Sequence, residues 1–245
     1  MVQVRFIGCG DAFGSGGRFN TCFQVRHDEG ACLIDCGASS LVALRRFEVD
    51  PNSIDSIFLT HLHGDHFGGV PFLLLDARLA SRRAAPLLVA GPPGTEKRVN
   101  DTLECLFPGA AGKPYKFPLE FAELKVGEAF RRGPYAVTPF PADHSAGAPC
   151  YALRLEVGGR IVAYSGDGSW SEGLAAAGRG ADLFIAETYF YDRAITQHLD
   201  FKTLVEHLPE IAPKRLILTH MSPDMLARAG SLPYEAAEDG KTVEV

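Results

Sequence analysis

Apolar and polar residues alternate at the start of the chain, with Val2, Val4 and Phe6 set against Gln3 and Arg5 until Gly8 and Gly10 interrupt the pattern. This period of two predicts a strand. Further strands are predicted at 22–26 and 31–35, and Ala38 to Phe47 reads as a helix that ends before Asp50-Pro51. Ile57-Phe58-Leu59-Thr60 is a short buried strand by its length and its β-branched and aromatic content. After Gly68-Gly69, Pro71 suits a first helical position, and Val70, Leu73, Leu74 and Ala77 fall on one helical face. Residues 91–133 are rich in Gly and Pro, which predicts short elements with irregular connections. Regular patterning returns with strands near 135–140, 150–157, 160–165, 182–186 and 215–218, and helices near 171–177 and 201–208.

Strands in both halves flanked by helices predict an α/β layered architecture. No Pro/Gly/Ser-rich stretch is long enough to be a linker, so residues 1–245 read as one domain. Ile57-Phe58-Leu59-Thr60-His61-Leu62 echoes Leu216-Ile217-Leu218-Thr219-His220-Met221, each a strand delivering a His from its C-terminal end. Such an echo suits two related halves packed sheet to sheet.

Composition narrows the class. An apolar content of 46% over 245 residues supports a sizeable core without staples. Apolar runs such as Phe72 to Leu75 are far too short to cross a bilayer, and the N-terminus shows no basic region followed by an apolar stretch. A cytoplasmic protein with no membrane partner is expected. The net charge of −6 argues against a protein that grips a long phosphate backbone. Arg45-Arg46, Arg82-Arg83 and Arg131-Arg132 read as solvated surface. The six cysteines, at 9, 22, 32, 36, 105 and 150, form no C-x-x-C pair and are expected to pack as small buried residues.

The strongest chemical feature is His61-Leu62-His63-Gly64-Asp65-His66, four potential metal ligands within six residues of a loop after an apolar strand. Imidazole nitrogen and carboxylate oxygen suit a borderline cation such as zinc. Gly64 is expected to let the backbone turn sharply so that the side chains converge. His61 and His63 can reach one ion while Asp65 and His66 reach a second, which is more ligands than one tetrahedral site needs. His144, Asp167 and His220 also follow predicted strands, where α/β folds build their sites. His27 and His207 fit no constellation.

These residues resemble the metallo-β-lactamase superfamily in its dinuclear hydrolase form, and the tRNase Z-like branch most closely. Phe6-Ile7-Gly8-Cys9-Gly10 is similar to that branch's opening strand and glycine turn. Arg18-Phe19-Asn20, Asp35-Cys36-Gly37, the His61–His66 motif, Gly91-Pro92-Pro93-Gly94, Glu187 and Leu218-Thr219-His220-Met221-Ser222 follow in the expected order. The resemblance implies a four-layer αββα sandwich and a possible homodimer. It also implies one metal held by His61, His63 and His144, a second by Asp65, His66 and His220, and Asp167 bridging both. Two divalent ions are expected, Zn2+ foremost with Mn2+ or Fe as alternatives, and such a pair lowers the pKa of a shared water to roughly 7. Asp65 could also orient that water. His198, supported by Glu187, matches the branch's general acid, although its neighbours Leu199 and Asp200 depart from the family's His-Ser-Thr and also suit a helix cap.

Two departures bear on the substrate. Bacterial tRNase Z carries a long arm between the positions matching His144 and Asp167, whereas 22 residues separate them here. The family's Gly-Asp-Thr reads Gly166-Asp167-Gly168. Folded tRNA is therefore disfavoured against a small hydrolysable phosphodiester, such as a cyclic nucleotide or a nucleic-acid end, attacked by a metal-bridging hydroxide. A lactone or thioester hydrolase is the alternative enzyme, and a metal-binding module without turnover is the non-enzymatic one. Gly91-Pro92-Pro93-Gly94-Thr95-Glu96-Lys97 is not a phosphate cradle, because Glu96 replaces its second glycine and two prolines remove donors.

Overall fold

The computed structural model describes residues 1–245 and contains two seven-stranded mixed sheets. The first half of the chain forms β1 (Gln3–Gly8), β2 (Cys22–His27), β3 (Gly30–Ile34), β4 (Ser56–Phe58), β5 (Leu87–Gly91) and β6 (Leu119–Glu123). Between them lie α1 (Ser40–Arg46), α2 (Gly64–Phe67), α3 (Val70–Leu79) and α4 (Thr95–Leu106). The second half supplies β7 (Phe130–Arg132), β8 (Tyr135–Pro141), β9 (Tyr151–Val157), β10 (Arg160–Tyr164), β11 (Leu183–Glu187), β12 (Leu216–Thr219) and β13 (Glu235–Ala236). Its helices are α5 (Glu172–Gly178), α6 (Phe201–Ile211) and α7 (Pro223–Leu226), and β14 (Thr242–Glu244) returns to pair with β1.

The strand orders are β14-β1-β2-β3-β4-β5-β6 and β13-β12-β11-β10-β9-β8-β7. From β14 to β6 three antiparallel pairings are followed by three parallel ones. From β7 to β13 the same succession repeats. The halves are therefore alike in topology. Matching strand for strand, however, aligns β4 with β11 and β5 with β12. The His61 and His220 segments lie on strands that do not correspond, so their similarity is not a trace of the repeat.

Burial explains the layers. Val4, Phe6, Ile34, Phe58, Leu153 and Ile185 belong to the core between the sheets. Ile7, Leu33, Ile57 and Val89 face the other way and pack with Leu44, Leu73 and Val99 of the first helix layer. Phe184, Leu216 and Leu218 do the same with Leu174 and Leu204 on the far side. Parallel strands covered on both faces read as continuous apolar runs, which is why Ile57-Phe58-Leu59 shows no alternation. The result is the four-layer αββα sandwich.

The expectation of short elements with irregular connections over 91–133 suits β6 and β7, but not the twelve-residue α4, and β5 just before them was unforeseen. Gly91-Pro92-Pro93-Gly94 is the turn between β5 and α4, and only Val99 and Leu103 of that helix's apolar residues are buried. So thin an apolar face gives a weak periodic signal beside so many turn residues. Cys105 is exposed whereas the other five cysteines are buried, and all six are free thiols. No helix is long and apolar enough to cross a membrane.

Candidate metal centre

Six strand ends meet at one edge of the sandwich. β3 leads to Asp35, β4 to His61, β8 to His144, β10 to Asp167, β11 ends in Glu187, and β12 leads to His220. The His61–His66 motif is not a loop throughout, since α2 begins at Gly64 and carries Asp65 and His66. Gly64 is not the residue that makes the turn. Its φ is not positive and a Cβ there would meet nothing within 4 Å. Gly37, by contrast, is constrained, because a Cβ would overlap the Asp65 carbonyl oxygen and crowd Asn20.

The expected ligands fall into two adjoining groups. One ligand atom from each of His61, His63 and His144 lies within 4.8 Å of the others, and the same holds for Asp65, His66, Asp167 and His220. His63 Nδ1 and His144 Nε2 are 3.1 Å apart. His66 Nε2 is 3.4 Å from Asp65 Oδ2 and 3.3 Å from Asp167 Oδ2, and His220 Nε2 is 3.2 Å and 3.3 Å from the same oxygens. The His61 and His66 ring centres are 4.1 Å apart, which joins the groups.

A network behind the site sets the tautomers. Asp35, fully buried, accepts from His66 Nδ1 at 2.7 Å and from Thr60 Oγ1 and the Thr60 amide, both at 2.8 Å. The Thr60 hydroxyl, having given its proton to Asp35, accepts from His61 Nδ1 at 3.1 Å. His144 Nδ1 donates to the Gln197 carbonyl at 2.8 Å, and a carbonyl can only accept. In all three rings the Nδ1 proton is engaged away from the site and Nε2 is the atom that faces it, the arrangement that orients ligating imidazoles. Asp35 and the Gln197 carbonyl are the contributors that residue-by-residue reading left without a role. Asp35 and His220 also hold left-handed backbones, with φ of 58° and 55°. That conformation is costly for non-glycine residues and recurs at functional sites.

Charge in the cluster is polarised. Burial alone would raise Asp65 and Asp167, yet the facing His66 and His220 rings hold both carboxyls below the usual carboxylate range. Burial, joined by the neighbouring His66, pushes His61 below the ordinary imidazole range. The chemistry of the donor set fits divalent ions: His61 Nε2, His66 Nε2 and Asp167 Oδ1 are buried atoms with no hydrogen-bond partner in the chain, an arrangement that is costly unless something binds there.

Glu187 is fully buried beside the second group. Its Oε1 accepts from His198 Nδ1 at 2.5 Å and lies 3.4 Å from His220 Nδ1, and its Oε2 accepts from the Gly168 amide at 2.9 Å. Asp200 does cap α6, accepting from the Thr203 amide at 3.0 Å, so the cap and the His198 contact coexist. A Cβ at Gly168 would come within 3.2 Å of the Asp143 backbone, so a side chain there would require a small shift of that segment. His207 stacks on Trp170 and belongs to neither ligand group.

Known proteins share the sequence pattern and the fold of this chain. The chain is 27% identical over 308 aligned positions to a ribonuclease Z of Methanothermobacter thermautotrophicus, covering 100% of this chain and 97% of that protein. It is 24% identical over 274 positions to a ribonuclease Z of Methanosarcina acetivorans, covering 91% and 88%. The metallo-β-lactamase fold protein YhfI from Bacillus subtilis superposes with a TM-score of 0.78 at 21% identity, covering all of both chains. The short form of human tRNase Z gives 0.78 at 24% identity, covering 99% and 98%. Residues 2–237 match a family described as "Anti-Pycsar protein Apyc1". With nearly its whole length inside that match, the chain belongs to the Anti-Pycsar protein Apyc1 family and is a metal-dependent hydrolase of the metallo-β-lactamase fold.

Proposed function

We propose that this chain, as one hydrolase domain over residues 1–245, is a dinuclear phosphodiesterase acting on a compact substrate such as a cyclic nucleotide or a nucleic-acid end. The observation that carries the reading is the Glu187–His198 pair, because Asp167, Glu187, His198 and His220 place their polar atoms within 4.8 Å of one another. A proton donor thus stands beside the metal groups, where an alkoxide leaving group needs one. The compact substrate is supported by the stretch between His144 and Asp167, which is only β9 and β10 joined at Gly158-Gly159.

His61, His63 and His144 would hold one ion, Asp65, His66 and His220 the other, and Asp167 would span both. Zn2+ is the proposed ion, with Mn2+ and Fe sharing these ligand types. When bound, the pair supplies hydroxide at neutral pH and neutralises charge on the attacked phosphoryl group. The chain does the rest. Asp35 and Thr60 keep the His61 and His66 lone pairs aimed at the site. Asp65, ionised by its histidine neighbours, is also placed to orient the attacking water. Glu187 holds the His198 ring by Nδ1, which leaves Nε2 to deliver a proton to the leaving oxygen.

Hydrolysis of bis(p-nitrophenyl) phosphate by zinc- or manganese-reconstituted protein tests this, with a carbonyl ester run in parallel. Diester turnover that D167A abolishes and H198A sharply lowers supports the reading. Cleavage of the ester alone, surviving H198A, would replace it with a lactone or thioester hydrolase. Two bound ions without turnover of either would leave a metal-binding module.

A further inference from the structure

Phe13 stands apart from every other aromatic side chain in the molecule: it alone is exposed, at 81% of its surface. Single exposed apolar residues are ordinary on protein surfaces, and Leu79 and Val126 here are examples. Phe13 differs in how it is held. It sits in the glycine-rich loop between β1 and β2, and the loop is built around Asp11, which is fully buried. Asp11 Oδ1 accepts from the Phe13 amide at 3.2 Å and the Ser15 amide at 2.9 Å, and Oδ2 accepts from Ser15 Oγ at 2.7 Å. The Asp11 carbonyl accepts from Asn20 Nδ2 at 3.0 Å. A buried carboxylate therefore fixes the backbone that directs a phenyl ring into water.

The loop stands at the rim of the metal centre. Cys9, the residue after β1, has a carbonyl that accepts from the His220 amide at 3.1 Å. Gly16 packs on Leu226 of α7, the helix that starts just after His220. The Ser222 amide, which precedes that helix, donates to the Tyr189 carbonyl at 3.1 Å, and the Tyr189 ring lies 4.9 Å from His198. These contacts join the loop, directly or through α7, to the segment that carries His220 and to Tyr189 beside His198.

We propose that Phe13 is the platform on which the planar ring of a nucleotide substrate stacks while its phosphate occupies the metal centre. The inference rests on the phosphodiesterase reading and adds a specificity residue to it. Stacking of a base on a single exposed aromatic ring is sequence-tolerant and depends on area, not on hydrogen-bond pattern. A platform of this kind would discriminate between substrates with and without a base while leaving the base identity to other contacts.

The test uses zinc-loaded wild-type protein, F13A, F13W and the remote control V126A. Competitive inhibition of bis(p-nitrophenyl) phosphate hydrolysis is measured with adenosine 5′-monophosphate and with ribose 5-phosphate, which lacks the ring. In the wild type the nucleotide binds more tightly than the sugar phosphate. F13A narrows that preference by roughly tenfold or more, F13W preserves it, and V126A does not alter it. A preference unchanged in F13A overturns the proposal. So does a shift of sedimentation from dimer to monomer in F13A with unchanged inhibition, which would make Phe13 a contact between copies. Should the wild type turn over no diester, the phosphodiesterase reading fails on that result. The same ratio read by calorimetric titration of the two ligands then still decides the role of Phe13.

Discussion

Asp35 and His66 lie 31 positions apart in the chain, yet Asp35 Oδ2 accepts from His66 Nδ1 at 2.7 Å with both side chains fully buried. Through Thr60 the same carboxylate also governs the His61 tautomer. One buried group behind the site thus aims a histidine of each candidate ligand group.

The D35N variant tests this dependence. An amide presents one acceptor oxygen where the three donors of Thr60 and His66 face two, so at least one donor loses its partner. Asn also tolerates the left-handed backbone at this position, which separates ligand orientation from strain. Apparent zinc affinity, read by chelator competition, should fall on the order of 10- to 100-fold. An unchanged affinity would show that the ligands orient themselves.

His198 should control the alkaline limb of turnover. Burial alone would lower its pKa, but the hydrogen bond and charge of Glu187 carry it above the ordinary imidazole range. The protonated acid therefore persists as pH rises and is lost on passing the raised value. E187Q removes the carboxylate charge, so the decline of kcat should begin at lower pH, and H198A should lower kcat on the order of 10²- to 10⁴-fold. A pH–rate profile of E187Q that superposes on the wild type would remove Glu187 from this role.

Metal removal should also cost stability. Stripping ions leaves buried donor atoms such as His61 Nε2 and Asp167 Oδ1 without partners. At ion concentrations about 100-fold above Kd, binding contributes about 2.7 kcal/mol, so chelation should lower Tm on the order of 5–10 °C. Scanning fluorimetry with and without chelator checks this, and D167A should blunt the response.

Gly64, at the start of α2, and Gly37, packed against its backbone, should behave in opposite ways. G64A adds a methyl group to open space at the start of a helix and should change unfolding free energy within about 0.5 kcal/mol. G37A drives a Cβ into the Asp65 carbonyl and should destabilise by about 1–3 kcal/mol with loss of metal affinity. Denaturant titration of both variants checks the contrast.

Glu235 gives a readout of acid stability away from the site. The Arg215 hydrogen bonds, at 2.7 and 2.9 Å, and Lys241 at 2.9 Å hold its carboxyl down to about 2. A depressed carboxylate contributes stability that is full above its unfolded value, here the ordinary 4.5, and is lost as pH falls toward about 2. E235Q should flatten the acid dependence over that window while leaving neutral stability little changed, because the pair is partly exposed.

Much of this protein was legible in the order of its residues. Alternation around Val4 and Phe6, the uninterrupted Ile57-Phe58-Leu59 run and the helix signals near Pro71 and Asp200 are local properties of the backbone and of side-chain polarity, and they appear where they were expected. The seven candidate ligands were readable for a related reason: each follows a strand end or sits within the dense His61–His66 motif, and few residue types can bind a metal. Tertiary structure decided what depends on distance in space. α4 was hidden because its buried face is little more than Val99 and Leu103 between glycine- and proline-rich turns. The resemblance of the His61 and His220 segments pointed to a repeat, whereas sheet pairing assigns them to strands that do not correspond. Asp35, the Gln197 carbonyl and the loop that presents Phe13 acquire roles only when separate strand ends converge, because a hydrogen bond requires two groups to meet and a sequence displays each of them alone.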